Sequence, residues 1–253
     1  MNVLPSHPAA RAAVRQGVSV SVATGLYGIS FGALSVAAGV GLGPTMALSL
    51  LMFSGGSQFA LIGVIGAAGT PVAAVATAAL LGLRNTLYGA VVSPLLQVRG
   101  WRRLAAAHVT IDESTAVAVA QPDPAASRIG FWVTGVGVFV LWNVFVLLGA
   151  LAGDALGDPR AWGLDAAAAA AFLALVWPRL APRRAQLVAG LAVVATAALI
   201  PFVPPGIPVL AAAAVAIVVG LVAPSGPGAT AAGQPENQTD TKTDSKTERE
   251  PAR

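Results

Sequence analysis

"MALSLLMFSGGSQFALIGVIG", residues 46–66, carries no charged side chain. It is as long as the roughly 20 apolar residues that a helix needs to cross the hydrocarbon core of a bilayer. Its centre is polar, however: residues 54–58 read Ser-Gly-Gly-Ser-Gln. Paired glycines flanked by hydroxyls and an amide let a helix unwind and turn backbone N–H and C=O groups toward a cavity, as the broken helices of transporters do. The plainer alternative is a glycine packing kink, with Gln58 hydrogen-bonded to a neighbouring helix.

The rest of the chain supports a membrane setting. Of 253 residues, 56% are hydrophobic and 10% charged, against about 25% charged in a typical soluble domain. The mean hydropathy is +0.75. There is no cysteine and there are only two histidines, so thiolate metal sites and disulfides are excluded and a histidine-based zinc site has little to draw on. Neither metal nor cofactor is expected. The formal charge of +4 comes from arginines at the ends of apolar segments rather than from a basic stripe interleaved with aromatics, which argues against nucleic acid.

The apolar segments fall at 17–40, 44–68, 71–97, 104–120, 130–152, 165–178, 185–201 and 207–223. The expected fold class is all-α: a polytopic transmembrane helical bundle of about eight membrane-embedded segments, one or two of them broken or re-entrant. Residues 1–16 form a polar N-terminal segment, 17–223 the membrane domain and 224–253 a polar tail. The tail cannot bury enough apolar surface to order itself, and its removal is expected to be tolerated. "PFVPPGIP", 201–208, reads as a tight turn between the last two segments. In the first span Thr24, Gly28 and Gly32 recur every fourth residue. They form a flat small-residue face for close helix packing.

Arg11 and Arg15 precede the first segment, Arg99, Arg102 and Arg103 follow the third, and Arg179, Arg183 and Arg184 follow the sixth, while 153–165 is acidic. Placing all three clusters in the cytoplasm requires two segments to enter and leave on the same side. The two with the most polar centres are 44–68 and 104–120. Six crossings then leave both termini cytoplasmic in the inner membrane.

Three places carry chemistry. The first is Ser54, Gly55, Gly56, Ser57 and Gln58. The second is Arg84, with Asn85 beside it and Tyr88 one turn on. An arginine at mid-span costs about 2.5–3.5 kcal/mol on the insertion scale, so something anionic should meet it: a protein acid or a substrate carboxylate, whose geometry the guanidinium fork suits. The third is "AAAHVTIDESTAVAVA", 105–120. There His108 and Asp112 are spaced to share a helix face, and Glu113 lies beside them. Buried acids of this kind carry protons or hold an ammonium group. Asn143 is expected to bond between helices. No phosphate-cradling, metal-ligand or catalytic-triad motif appears, so an enzyme is not expected.

"GLYGISFGAL" (25–34), "FSGGSQFA" (53–60), "LRNTLYG" (83–89) and "HVTIDESTAVA" (108–118) occur in this order. Together they resemble the AzlC family, the large subunit of two-component branched-chain amino acid exporters. Gly82, Asn85 and Ile111 depart from the family's pattern. The resemblance implies export of valine, leucine or isoleucine, with methionine as a further candidate, alongside a small AzlD-like membrane subunit, for whose helix the Thr24–Gly32 face is a candidate. In that reading Arg84, the 54–58 break, Asn85 and Tyr88 receive the substrate carboxylate, and Asp112 or Glu113 handles the ammonium group or a coupling proton. The proton-motive force is the expected energy source. The alternatives are a membrane channel or scaffold and an intramembrane hydrolase using Ser54 or Ser57 with His108.

Overall fold

The computed structural model describes residues 8–156, 173 and 176–222, and every regular element among them is helical. The helices are α1 (Pro8–Leu26), α2 (Gly28–Ala37), α3 (Leu42–Leu51), α4 (Gly55–Gly66), α5 (Pro71–Leu96), α6 (Trp101–His108), α7 (Asp112–Val119) and α8 (Pro124–Leu156). After a 3₁₀ turn at Trp177–Leu180 come α9 (Arg183–Leu199) and α10 (Ile207–Val222). The acidic stretch beyond 156, most of the 165–178 segment and the 224–253 tail lie outside the described residues.

Among the described residues, three stretches are long and apolar enough to cross a membrane: Pro8–Ala37, Pro71–Leu96 and Pro124–Gly153. The first starts earlier than 17, because Pro8–Gln16 already winds into α1, and it is interrupted at Tyr27. The boundaries of α5 follow from its ends. Thr70 accepts a hydrogen bond from the Ala73 amide at 3.2 Å, Pro71 opens the first turn, and Gln97 closes the helix in the left-handed region. Asp123 does the same for α8, accepting from the amides of Ala125 and Ala126 at 3.0 and 2.9 Å.

Helix α8 is the common neighbour of α1, α2, α3 and α7. Lipid tails are as apolar as leucine, so helices in a bilayer gain mainly from close packing. Glycines supply it from both sides. A Cβ on Gly32 would strike the Val146 carbonyl, and one on Gly149 would strike the Ile29 carbonyl. Gly28 and Gly32 are therefore buried against the chain's own α8, and Thr24 is buried as well. The expectation that this face takes a partner subunit's helix is corrected: it is already filled. Above it Phe31, Phe59 and Trp142 form the aromatic core, with Phe31 stacked on Trp142 at 6.1 Å and edge-on to Phe59 at 5.6 Å.

Both segments with polar centres are broken. The 44–68 segment is α3 and α4, of ten and twelve residues, each rising about 15–18 Å, roughly half of a hydrocarbon core. The interruption lies at residues 52–54, and Gly55-Gly56 open the second half-helix rather than forming the junction itself. Gln58 stitches the break, its Nε2 donating to the carbonyls of Leu48 and Met52 at 3.0 Å each. The 104–120 segment is α6 and α7, interrupted at residues 109–111. Polar side chains take over the backbone groups there. Thr110 Oγ1 donates to the Ala106 carbonyl at 2.7 Å, and Ser114 Oγ accepts from the Ile111 amide at 3.0 Å while reaching the Val109 carbonyl at 2.8 Å. Because the helix stops between them, His108 and Asp112 do not share a helix face. Asn143 Nδ2 bonds its own helix, at the Phe139 carbonyl, rather than a neighbour.

The turn at 201–208 joins α9 to α10 as expected, and Thr77 Oγ1 anchors it to α5 through the Gly206 carbonyl at 3.5 Å.

Candidate functional site

Arg84 lies close to the middle of α5, and two half-helices start beside it. The first is α4. Its N-cap Ser54 has extended backbone (φ −157°, ψ 97°) and no side-chain capping bond. The opening amides of a helix have no partner within the helix and carry its positive end. Gly56 sits directly against the guanidinium, where a Cβ would lie 2.7 Å from Arg84 Nη2. Gly55 lies against the Trp142 ring. The second is α7, whose first residue, Asp112, places Oδ2 3.5 Å from Arg84 Nη1. Asp112 is buried, and the arginine side chain retains 27% of its exposure.

A protein carboxylate meets Arg84, but loosely: 3.5 Å is longer than the roughly 2.7–2.9 Å of a tight charge-assisted bond. Arg84 Nε is buried with no hydrogen-bond partner. The guanidinium thus has unused donors between two positive helix ends, an arrangement suited to a further anion. Glu113 accepts from the Tyr27 hydroxyl at 3.4 Å. Tyr27 stands at the interruption between α1 and α2, with its ring edge-on to Trp142 at 5.4 Å. Three backbone breaks, at 27, 52–54 and 109–111, therefore gather around one arginine and two carboxylates.

A cavity of about 420 Å³ lies alongside, between the α3–α4 break and α5. Its polar lining is Ser54, Ser57, Asn85 and His108. Ser57 donates to Ser54 at 3.2 Å, and Asn85 Oδ1 is buried without a partner. Of the residues singled out from sequence, Gly56, Arg84, Asp112 and Glu113 belong to the charged cluster, while Ser54, Ser57 and Asn85 belong to the cavity. Gln58 points away, into the end of α3. Tyr88 is half-buried, and no hydrogen bond ties it to the cluster. His108 is exposed, with Phe53 and Phe139 around its ring at 6.1 and 5.4 Å. Among the described residues neither serine is hydrogen-bonded to it, so the pairing that would activate a nucleophile is not assembled. Sequence reasoning missed Tyr27 and Trp142 as site residues. The only signal for Tyr27 was that it is the one tyrosine in the apolar run 17–40.

A family model described as AzlC protein matches residues 19–156, more than half of the chain. The chain belongs to the AzlC family. The matched stretch contains the whole charged cluster and the cavity, with all three backbone breaks. No curated protein and no solved structure matches. AzlC is a transport-associated family of membrane proteins, and the apolar spanning helices of this member agree with that setting.

Proposed function

We propose that this AzlC protein is the large subunit of a two-component exporter that moves branched-chain amino acids out across the cytoplasmic membrane. The observation that carries the reading is the convergence of two half-helix N-termini on a mid-span arginine. The substrate carboxylate is bound by Arg84 and by the opening amides of α4, with Ser54, Gly55, Gly56 and Ser57 framing it. Asp112 is the displaceable partner. Its loose contact lets a second carboxylate take the guanidinium at little cost, since one anion replaces another. The freed Asp112 and the neighbouring Glu113 then receive the ammonium group or a coupling proton. Asn85 and Tyr88 border the path.

The three interruptions serve as hinges for alternating access. The export step draws on the proton-motive force. The half-helix pairs 42–66 and 101–119 return to the side they enter from, which leaves six crossings and both termini in the cytoplasm. A small AzlD-like subunit completes the complex. Among the described residues, the outward side of α5, the helix that carries Arg84, exposes Val72, Leu83 and Leu87 and offers an apolar surface to such a subunit.

Dipeptide-loaded efflux tests the reading. Cells lacking their own exporters are fed a leucine- or valine-containing dipeptide while expressing the chain with its small partner. Faster appearance of the free amino acid outside, lost in Arg84→Leu, is expected. Unchanged efflux from a correctly inserted chain, with and without the partner, refutes the exporter reading.

A further inference from the structure

We infer that the cavity beside the charged cluster is the chamber for the substrate's hydrocarbon side chain, and that Gly82 sets the largest side chain accepted. The inference rests on the exporter reading and goes on to name the residue that determines specificity. One wall of the cavity is a single face of α5: Val75, Ala78, Ala79, Gly82 and Asn85 follow the three-and-four spacing of adjacent turns. Phe53 and Leu61 contribute to the opposite wall. Among the described residues no arginine, lysine, aspartate or glutamate lines it, and apart from Ser54, Ser57, Asn85 and His108 its lining is apolar. Such a lining suits an alkyl chain.

Gly82 is where the α5 wall comes up against Ser57 of α4. A Cβ built on it would lie 3.4 Å from Ser57 Oγ, in ordinary contact. One methyl group therefore fits without moving anything, and any larger side chain must project into the chamber. Ser57 also connects the chamber to the charged cluster. It is the next residue after Gly56, which touches the Arg84 guanidinium. A ligand whose carboxylate lies at Gly56 and Arg84 has the chamber at its side, around the first turn of α4. His108 and Asn85 are the polar groups at its other end.

The full chain, with its small partner, is reconstituted into proteoliposomes. Counterflow is measured for alanine, valine, leucine and phenylalanine. Gly82→Ala is expected to keep valine and leucine within about twofold. Gly82→Leu is expected to reduce leucine at least about tenfold relative to alanine, the discrimination that a hydrocarbon group of this size commands. The chain contains no cysteine, so Gly82→Cys carries a single thiol. Leucine should slow its reaction with a methanethiosulfonate reagent, and glycine should not. Equal loss of every substrate in Gly82→Leu with an unchanged melting temperature, or no protection by leucine, overturns the chamber assignment while leaving export intact. If the wild type moves no amino acid yet leucine still protects the thiol, the exporter reading fails and the chamber stands. If neither occurs, both fail.

Discussion

Gly56 is where the backbone of α4 meets the Arg84 guanidinium, and a single methyl group placed there tests the anion site directly. In Gly56→Ala the new Cβ would lie 2.7 Å from Nη2 and 3.2 Å from Cζ. Reaching the 3.4 Å of ordinary contact needs a retreat of about 0.7 Å. The atoms in the way are the far end of a flexible side chain, so the retreat costs at most about 0.5–1.5 kcal/mol of rotamer strain. Replacing glycine in a helix returns about 0.4–1 kcal/mol through the unfolded chain. The two nearly cancel, and the melting temperature should move by no more than about 4 °C. Transport should respond very differently. A misplacement of about 1 Å in a positioning group costs up to 100-fold, so a guanidinium pushed off the α4 terminus should lose about tenfold or more in initial efflux rate. The assay is dipeptide-loaded efflux alongside thermal melting of the same purified chain. Wild-type efflux from Gly56→Ala would show that substrate does not meet Arg84 at this terminus. A melting point lower by more than about 10 °C would make Gly56 a packing residue only.

At Gly32 the atom in the way is backbone, the Val146 carbonyl, which cannot step aside. Gly32→Ala should therefore destabilise by about 2 kcal/mol or more, read as reduced melting temperature and membrane yield, whereas Gly63→Ala, with nothing within 4 Å, should be neutral. Gln58→Leu removes the donor to two carbonyls at the α3–α4 break, at a cost of about 1–3 kcal/mol. Hydrogen exchange should rise at residues 48–58 and nowhere else; uniform protection there would mean that the break is held by other contacts.

Much of this was legible in the sequence because membranes are strict solvents. A charged or amide group inside an apolar run must face protein, and Gln58, Arg84 and Asp112 do. The two broken segments were readable from their polar centres for the same reason. The position of each break was not. Gly55 and Gly56 looked like the junction, yet they are helical, because Ser54 takes the extended conformation one residue earlier. The proposed His108–Asp112 face failed because Thr110 and Ser114 capture backbone groups that an unbroken helix would have used. The mate of the Thr24–Gly32 face was invisible as well. A small-residue stripe says that something packs closely on it, not whether that something lies in the same chain.

The α1–α8 contact also bears on how the chain is made. Ser21 reaches the Thr134 carbonyl across 113 positions of sequence. At the roughly 5–20 residues per second of synthesis, the first helix is made about 6–23 seconds before its mate has been translated. Throughout that interval its glycine face has only lipid, insertase or chaperone to rest on. The α3–α4 and α6–α7 pairs are threaded in meanwhile, around a bundle whose central post has yet to arrive. Assembly of the bundle therefore waits on α8, which closes it from the far end of the matched region.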